Sequence, residues 1–490
     1  MTINPFVIKS EKGNYYLYSF SMNELIHISE CFYDIFNTIN NVCIADTHIC
    51  NYDHIKSLLN PFDFNHYSDN EINYNINKYI IMANSNYLMP IKTDSIYDGI
   101  LTDLNVENLF KNTSQIVFEV TTRCNLSCIY CGYGEFYCNS PNRIDNDLEF
   151  SVAEALLCSI SNNNDIMIGF YGGEPLLNFK LIQKLVKLCD KKFKKPRFSI
   201  TTNAIIIDKY IDYLIEHDFI ITISIDGDFK NNSNRVFKDG SSSFNKIYSN
   251  IAKIKNKNST FFDNNVSFNS VLTNNSNISD IFDFLSTLTE SSNIKISQLS
   301  TTSLNVDKAS DFNSIFLDYY KDLSNNKTCS MYKNEMDKDA CSFIRKYSSI
   351  YNDSFLDLLL RQNSSRLQNL PTGTCLPFSK KIFLAANGKI FPCERIGQNT
   401  SLGEISGNEL VLNTKYISNI YNNFYDKIKQ LCMNCYSFNN CQECYFLLED
   451  GKCKNLKTRD DFINYFNSMV NYIELNRYSI NNKIINGAVI

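Results

Sequence analysis

The chain has 490 residues, a formal net charge of −5 at pH 7, and ordinary contents of apolar (44%) and charged (20%) residues. This length exceeds what one hydrophobic core usually serves and predicts two or three globular domains. The acidic balance and the lack of a basic run that could track phosphates speak against a nucleic-acid partner.

The amino-terminal sequence predicts a cytoplasmic protein without a membrane partner. A signal peptide needs a charged start and an apolar core, and neither occurs in MTINPFVIKS. No apolar run has the length that a bilayer-spanning helix requires. Because the cytoplasm keeps thiols reduced, clusters among the 18 cysteines are expected to bind metal rather than to form disulfides.

Residues 1–110 are predicted to form a small α+β domain. A Lys-Gly-Asn turn between two strand-like runs indicates a hairpin. The predicted elements are strands at 7–9, 15–18 and 23–28, helices at 30–39 and 54–59, a loop over 60–77, and a second hairpin over 78–89 around Asn84–Asn86.

A strand–helix alternation predicts an α/β domain over residues 112–300. The predicted strands are 116–120, 166–170, 198–201, 219–224, 266–272 and 294–299, and the helices are 148–160, 179–192, 208–217, 244–255 and 278–288. Strands that alternate with helices form parallel sheets, and six such units close most of a TIM-like barrel. We therefore expect a partial (β/α)6 barrel with its chemistry at the carboxyl ends of the strands.

The remaining sequence divides into three parts. Residues 301–370 are polar with helical periodicity and are predicted to form a connector. Residues 371–455 are rich in cysteine and form a further predicted domain. The last segment, 456–490, is predicted to be a tail with one amphipathic helix over 460–477.

Three cysteines follow the first predicted barrel strand with the spacing C-x3-C-x2-C. They are Cys124, Cys128 and Cys131. Three thiolates around one point can hold three irons of a cubane [4Fe–4S] cluster and leave the fourth iron open. An iron with an open position can bind and activate a further molecule. The alternative is three packed thiols without metal.

Polar motifs end the next three predicted strands. Gly172-Gly173-Glu174-Pro175 ends the second strand, Thr201–Ala204 the third, and Ser224–Gly227 the fourth. Glycine lets a backbone approach a ligand, and hydroxyl or carboxylate groups can hydrogen-bond one. Each motif alone is an ordinary turn, but their placement at successive strand ends predicts one binding site. Arg235 is either a partner for a ligand carboxylate or a surface arginine.

These motifs resemble those of the radical S-adenosylmethionine (SAM) superfamily. The resemblance implies that the three cysteines hold a catalytic cluster whose open iron chelates SAM. It also implies that one-electron cleavage of SAM gives a 5′-deoxyadenosyl radical, which removes a hydrogen atom from the substrate. The residues that it implies as SAM contacts are Tyr130, Gly172, Gly173, Glu174, Pro175, Thr202, Asn203, Ser224, Asp226 and Arg235.

The carboxyl-terminal cysteines resemble those of the SPASM domain, an extension of radical SAM proteins that carries two auxiliary [4Fe–4S] clusters. They are Cys375, Cys393, Cys432, Cys435, Cys441, Cys444 and Cys453. Two features depart from the SPASM pattern. The spacing between Cys441 and Cys444 is x2 rather than x3, and no further thiol occurs in Leu376–Lys381, where some relatives have one.

The resemblance also implies how these seven thiols divide between two clusters. Cys432, Cys435, Cys441 and Cys453 would complete a distal cluster, while Cys375, Cys393 and Cys444 would hold a nearer cluster with one open iron. A substrate thiolate could bind at that iron. The alternative is a four-thiolate zinc site made by Cys432, Cys435, Cys441 and Cys444, which leaves the other three thiols unexplained.

The predicted function is modification of a ribosomally synthesised precursor peptide by a thioether or carbon–carbon cross-link, with flavodoxin or ferredoxin as electron donor. In outline, residues 1–110 resemble a small winged-helix element that binds a leader peptide as an added strand. The alternative for this domain is a stabilising cap. Two other functions remain open for the whole chain: formylglycine formation in a sulfatase, and non-catalytic electron transfer by an iron–sulfur protein.

Overall fold

The computed structural model describes residues 1–42, 51–93, 99–137, 145–161, 165–273, 276, 278–289, 294–297, 299, 304–316, 374–397, 400–437, 441, 443–448, 453 and 456–475. The predicted connector, 301–370, falls within this part of the chain only over 304–316. The described residues form two compact units, one within 1–100, 374 and 422–475, the other within 101–316 and 375–421. Among the described helices, none is both long enough and apolar enough to span a bilayer.

The first unit starts with an antiparallel sheet followed by three helices. Its elements are β1 (Thr2–Ile3), β2 (Phe6–Lys9), β3 (Tyr15–Ser19), β4 (Glu24–Ile28), α1 (Glu30–Val42), α2 (Tyr52–Leu58), α3 (Asp69–Asn84) and β5 (Ile91–Lys92). Strands β2, β3 and β4 pair in that order, and β1 pairs with β5. The predicted hairpin and third strand are confirmed.

Two apolar clusters hold the first unit together. One face of α1, including Phe32 and Ile35, is buried with Ile76 of α3. The other cluster joins the sheet to the last described helix of the chain. There Tyr18 of β3 lies 4.4 Å from Phe466, centroid to centroid. The helix that carries Phe466 spans Arg459–Leu475, close to the predicted bounds.

The predicted second hairpin at 78–89 is wrong, because Asp69–Asn84 is a helix. The side chain of Ser68 accepts a hydrogen bond from the Glu71 backbone N–H and begins the helix. Ile76, Tyr79 and Met82 are buried on one face at a spacing of three residues. The aromatic and β-branched run at 79–81 favours a strand locally, and burial of this face overrides that preference.

The second unit is built on parallel strands that alternate with helices. Its first part contains α4 (Asp103–Lys111), β6 (Gln115–Thr121), α5 (Phe150–Ser159), β7 (Ile166–Gly172), α6 (Phe179–Lys192), β8 (Pro196–Thr202), α7 (Ile211–Glu216), β9 (Ile220–Ser224), α8 (Phe244–Lys257), α9 (Ser259–Asn265), β10 (Val266–Val271), α10 (Ile278–Leu288), β11 (Ile294–Ser297) and α11 (Ala309–Phe316). Strands β6 to β11 lie side by side in chain order, all parallel. The predicted partial (β/α)6 barrel is confirmed.

The two faces of this sheet differ in chemistry. Phe118, Phe170, Phe198 and Phe219 are buried on the apolar side, with neighbouring ring centroids 5.5–6.4 Å apart. Because side chains alternate along a strand, the residues next to them face the other side. Strand pairing places Glu119 beside Tyr171 on that side, and Thr201 beside Thr222. The inner side of the barrel is therefore polar.

The cysteine-rich region begins as an extension of the same sheet. It contains β12 (Ile382–Leu384), β13 (Lys389–Phe391), β14 (Gly403–Ser406), β15 (Glu409–Leu412) and α12 (Thr414–Cys432), and α13 (Arg459–Leu475) follows it in the chain. Strand β12 pairs in parallel with β6, and β13 to β15 follow as antiparallel neighbours. The strand that precedes the first cysteine motif is therefore also the strand against which this region docks.

Candidate active site

The loop after β6 carries Cys124, Cys128 and Cys131 at the carboxyl edge of the parallel sheet. Two backbone hydrogen bonds fasten it to the segment after β9: Ser127 N–H donates to the Val236 carbonyl at 2.8 Å, and Ile129 N–H donates to the Asn234 carbonyl at 3.0 Å. A further bond from Cys131 N–H to the Cys128 carbonyl tightens the loop. The cysteine loop thus lies where the sequence predicts it, at the edge of the sheet that carries the active sites of barrel enzymes.

The three thiols lie within electrostatic range of one another. The pKa of the Cys128 thiol is raised to about 12, chiefly by burial and also by the nearby Cys131 and Cys124, against the opposing charge of Arg235. Within the described residues, no three Cys, His, Asp or Glu side chains stand in a preassembled metal arrangement. Iron ligation is therefore inferred from the motif and its place, and a positive ion would be needed to hold these sulfurs as thiolates.

The two glycines that end β7 pack directly against the cysteine loop. Gly172 has φ +138°, and a Cβ there would lie 2.1 Å from the Thr121 carbonyl oxygen. A Cβ on Gly173 would lie 2.2 Å from the Arg123 carbonyl oxygen. In addition, Gly173 N–H donates to the Thr121 carbonyl and Glu174 N–H to the Arg123 carbonyl. The glycines are required because only a residue without a side chain allows this approach.

Glu174 is fully buried and connects two strand ends. One carboxylate oxygen accepts from the Thr202 hydroxyl at 2.7 Å and from Leu176 N–H at 3.1 Å. The other accepts from Asn203 N–H at 2.8 Å. Pro175, also buried, starts the short 3-10 turn that follows. With both of its oxygens bonded to protein groups, Glu174 fixes the end of β8 beside that of β7.

The buried carboxyl of Glu174 makes stability depend on pH. Burial raises its pKa to about 7, against the hydrogen bonds from Asn203, Thr202 and Leu176, which favour the charged form. The folded chain therefore holds this proton more tightly than the unfolded chain, whose glutamates titrate at about 4.3. Between these two pKa values, rising pH lowers the free energy of unfolding by up to about 4 kcal/mol from this group.

We expect Glu174→Gln to remove this pH-dependent contribution to the free energy of unfolding. Urea denaturation at about pH 5 and about pH 7.5 measures the free energy of unfolding of both proteins. Relative to wild type, the variant should be more stable at the higher pH than at the lower. Glu107→Gln, at a half-exposed residue on α4, provides the control. A wild-type-minus-variant difference that is the same at both pH values would contradict the assignment.

Tyr130, Asp226 and Arg235 form one buried polar cluster. The Tyr130 hydroxyl donates to an Asp226 carboxylate oxygen, and Arg235 Nη2 lies 3.0 Å from the other. The guanidinium carbon lies 5.5 Å from the centroid of the Tyr130 ring. Val271 N–H also donates to Asp226 at 3.0 Å. The cluster ties the cysteine loop to the ends of β9 and β10, and it makes Arg235 a buried residue rather than a surface arginine.

Three buried donors at this edge still lack an acceptor. They are Nδ2 of Asn125, Nδ2 of Asn232 and Nε of Arg235, none of which has a hydrogen-bond partner within the described part of the chain. A buried donor without an acceptor costs stability. A bound molecule with carboxylate and hydroxyl oxygens would supply acceptors, so the residues present fit SAM. Ser224, half-buried at the end of β9, lies across the register from Asn269 of β10.

Sequence reasoning missed Glu119 and Tyr133. Glu119 faces the inner side of the barrel, is 1% exposed, and accepts hydrogen bonds from the Tyr133 hydroxyl and from Ala386 N–H at 2.9 Å. It therefore joins the cysteine loop to the turn between β12 and β13. A single glutamate inside an apolar strand, FEVTT, was the available signal. The aromatic side chains of Phe312 and Phe316 on α11, packed against Tyr130 and Phe136, were also missed.

The carboxyl-terminal cysteines occupy both units. Cys393, after β13, is half-buried and Cys375 is exposed. Burial raises the pKa of the Cys393 thiol, as does Glu394, against backbone N–H bonds from Arg395 and Ile396. In the other unit, Cys435 accepts from Lys457 N–H at 3.4 Å. There too, the Thr374 hydroxyl accepts from Tyr445 N–H at 2.7 Å, which links the residue before Cys375 to the residue after Cys444.

Comparison with protein families identifies the class of this chain. Residues 118–288 match the family described as the radical SAM superfamily. This range runs from β6 to the end of α10 and includes the cysteine loop and the ends of β7, β8 and β9. The chain therefore carries a radical SAM domain over these residues.

Curated relatives share parts of this domain. An uncharacterized protein of Methanocaldococcus jannaschii is 39% identical over 132 residues, which cover 26% of this chain and 44% of that protein. The radical SAM cyclopropyl synthase TigE of Paramaledivibacter caminithermalis is 24% identical over 209 residues (39% and 43%). The cysteine-type anaerobic sulfatase-maturating enzyme of Clostridium perfringens is 30% identical over 142 residues (27% and 38%). The chain spans less than half the length of each of these proteins.

A solved structure has a similar fold. Native anSMEcpe with bound AdoMet aligns with a TM-score of 0.51 and 18% identity over 75% of this chain and 99% of that one. The same protein with AdoMet and the Cp18Cys peptide gives a TM-score of 0.50 and 19% identity over 76% and 99%. At this level of identity the likeness concerns the fold alone.

Proposed function

We propose that the chain is a radical SAM/SPASM enzyme that cleaves SAM reductively and modifies a ribosomally synthesised peptide. The observation that carries the proposal is the cysteine loop after β6, pinned at the carboxyl edge of the barrel by the glycines that end β7. Bound at Cys124, Cys128 and Cys131, a [4Fe–4S] cluster with SAM would supply one-electron cleavage and hydrogen-atom abstraction.

The surrounding residues are suited to bind and orient SAM. The unpaired Nε of buried Arg235 suits the SAM carboxylate, a charge-assisted contact. The Tyr130 ring is fixed by Asp226 at one end, so it offers a preoriented apolar face. Glu174, Thr202 and the backbone of Asn203 position the site without contacting SAM, because their hydrogen bonds are made to one another. Ser224, at the end of β9, is left to contact the ribose.

The apolar residues around the loop favour radical chemistry by excluding water. Phe312 and Phe316 of α11 are at most 1% exposed and pack with Tyr130, Phe136 and Tyr137 against Cys128. A reactive radical needs such a shielded site, because water and side reactions would quench it. Phe136 and Tyr137, in the segment after Cys131, are thus buried among aromatic side chains.

The seven carboxyl-terminal cysteines are proposed to hold two auxiliary [4Fe–4S] clusters. Docking of β12 against β6 brings the strand pair that ends near Cys393 to the barrel sheet. The division of the seven thiols between the two clusters follows the resemblance to the SPASM domain. An open iron at the nearer cluster, with a substrate thiolate as its fourth ligand, favours thioether formation. Flavodoxin or ferredoxin is the proposed electron donor.

The first unit is proposed to bind the leader segment of the precursor peptide. Three strands followed by three helices match the outline of a peptide-binding winged-helix element. Strand β4 pairs with β3 on one side and is an outer strand of its sheet as described. Glu24 and His27 of β4 are exposed. An outer strand of this kind can accept a peptide as an additional strand.

Co-expression with a candidate precursor peptide, sought among short open reading frames beside the gene, tests the proposal. We expect loss of two hydrogens from the peptide, mapped by fragmentation to a cross-link, and a cysteine sulfur in that link. A precursor without its leader should be modified at least about tenfold more slowly, since strand addition supplies several hydrogen bonds. A link without sulfur would favour carbon–carbon chemistry, and an unmodified peptide from an active, SAM-cleaving protein would contradict a peptide substrate.

Formylglycine formation is the second candidate function, favoured by the 30% identity to a sulfatase-maturating enzyme. The same mass measurement separates the two. Oxidation of a sulfatase cysteine to formylglycine removes sulfur from the peptide, whereas a thioether keeps it. A sulfatase peptide that is converted while the neighbouring precursor is not would establish the second function.

A further inference from the structure

The side-chain amide of Asn203 has one defined orientation. Its Oδ1 accepts a hydrogen bond from the Ile205 backbone N–H at 3.0 Å. Because a backbone N–H can only donate, the atom that faces it must be the amide oxygen. The NH2 group therefore points the other way. It lies 3.7 Å from Sγ of Cys124 and 2.8 Å from Oδ1 of Asn125. Its two hydrogens can serve both acceptors.

The backbone that carries Asn203 is held from two sides. Asn203 N–H donates to Glu174 at 2.8 Å. The next residue, Ala204, has φ +58°, a left-handed conformation that is strained for a residue with a Cβ. The buried Asn250 amide offsets this strain by donating to the Ala204 carbonyl at 2.7 Å and to the Ile205 carbonyl at 2.9 Å. A strained backbone conformation that buried hydrogen bonds hold in place is typical of functional sites.

We propose that Asn203 is a positioning residue that donates an N–H···S hydrogen bond to Cys124 and raises the reduction potential of the cluster at the three cysteines. The proposal rests on the cluster ligation given under the proposed function. Reduction adds negative charge to the cluster and its sulfurs, so a donor beside Cys124 stabilises the reduced form more than the oxidised one. This also assigns Asn203 to the cluster sulfur, whereas the sequence motif assigned it to SAM.

Side-chain substitution can remove the N–H donor that Asn203 offers to this sulfur. The backbone N–H of Leu126 also lies 3.4 Å from Sγ of Cys124, but side-chain substitution does not remove it. Asn203 is 7% exposed, so water is poorly placed to replace the amide. Through Glu174, the position of the amide depends on the end of β7. The glutamate of the Gly-Gly-Glu-Pro motif thus acts on the cluster through Asn203.

An anaerobic redox titration of the whole reconstituted protein tests the proposal. Electron paramagnetic resonance would follow the signal that changes on addition of SAM, in wild type, Asn203→Leu, Asn203→Asp and a control, Asn178→Leu. The Asn178 amide donates to the Val120 carbonyl at the same edge of the sheet. We expect a shift to more negative potential in Asn203→Leu, a larger shift in Asn203→Asp because a carboxylate faces the sulfur, and no shift in the control.

A second spectroscopic readout covers the case in which the leucine variant fails to fold. In wild type, hyperfine spectra after transfer into D2O should reveal exchangeable hydrogens close to the cluster from the Asn203 amide and from Leu126 N–H. Asn203→Asp, which keeps the shape, should lose the amide contribution and keep that of Leu126. An unchanged potential in either variant, or an exchangeable-hydrogen spectrum of Asn203→Asp identical to that of wild type, would overturn the role of Asn203. A variant with alanine at Cys124, Cys128 and Cys131 that keeps the iron content of wild type would overturn the proposed function instead, so the two failures are distinguishable.

Discussion

Replacement of Cys124, Cys128 and Cys131 by alanine is expected to abolish SAM cleavage and to remove about four irons per chain. These thiols share one loop after β6, and the chain offers no preassembled alternative among its described side chains. Without them, no iron with an open position remains at the end of the barrel for SAM. The production of 5′-deoxyadenosine by the reduced protein should therefore fall to the level of a reaction without enzyme.

The measurement needs a cysteine whose loss is neutral. Cys158 lies exposed on α5, outside all the cysteine motifs, so Cys158→Ala should keep its iron and its activity. Iron, sulfide and 5′-deoxyadenosine would be determined for both variants under anaerobic conditions. If the triple variant keeps the iron content and spectrum of wild type, the first cluster is not where the motif places it. If it loses iron yet still cleaves SAM, another cluster is the catalytic one.

The strands of the barrel could be predicted from the sequence because each is a short apolar run between turn signals. All six predicted strands overlap observed strands, and Cys124 to Cys131 fall at the expected edge. The helix Asp69–Asn84 could not be predicted, because its Tyr-Ile-Ile run favours a strand locally. What decides its structure is burial of Ile76, Tyr79 and Met82 against distant residues.

Within the site, the motifs predicted which residues lie close together but not which hydrogen bonds they form. Glu174, Thr202 and Asn203 do meet, yet they bond to one another, because register and strand spacing decide which polar atoms come within 3 Å. The glutamate at 119 gave no motif, since its partners Tyr133 and Ala386 are far from it along the chain. The division of ligands between the auxiliary clusters stays a prediction that rests on resemblance.

Loss of the Asp226 carboxylate charge is expected to destabilise the fold by about 3–5 kcal/mol. Asp226 and Arg235 form an ion pair whose side chains are 1% and 8% exposed. Removal of one charge leaves the other buried without compensation, a much larger cost than the pair's net contribution. The chain contains no tryptophan, so far-ultraviolet circular dichroism during urea denaturation is the suitable probe for Asp226→Asn.

A matched pair nearby separates burial from charge. Arg123 and Asp147 lie 2.7 Å apart with 38% and 45% of their side chains exposed, so Asp147→Asn should cost at most about 1 kcal/mol. The double variant Asp226→Leu with Arg235→Met should be less destabilised than Asp226→Asn, because no buried charge remains. If this double variant recovers stability but does not cleave SAM, the function of Arg235 lies in binding SAM. If Asp226→Asn cost no more than Asp147→Asn, the pair would be accessible to solvent, and the argument for a buried Arg235 that meets the SAM carboxylate would be lost.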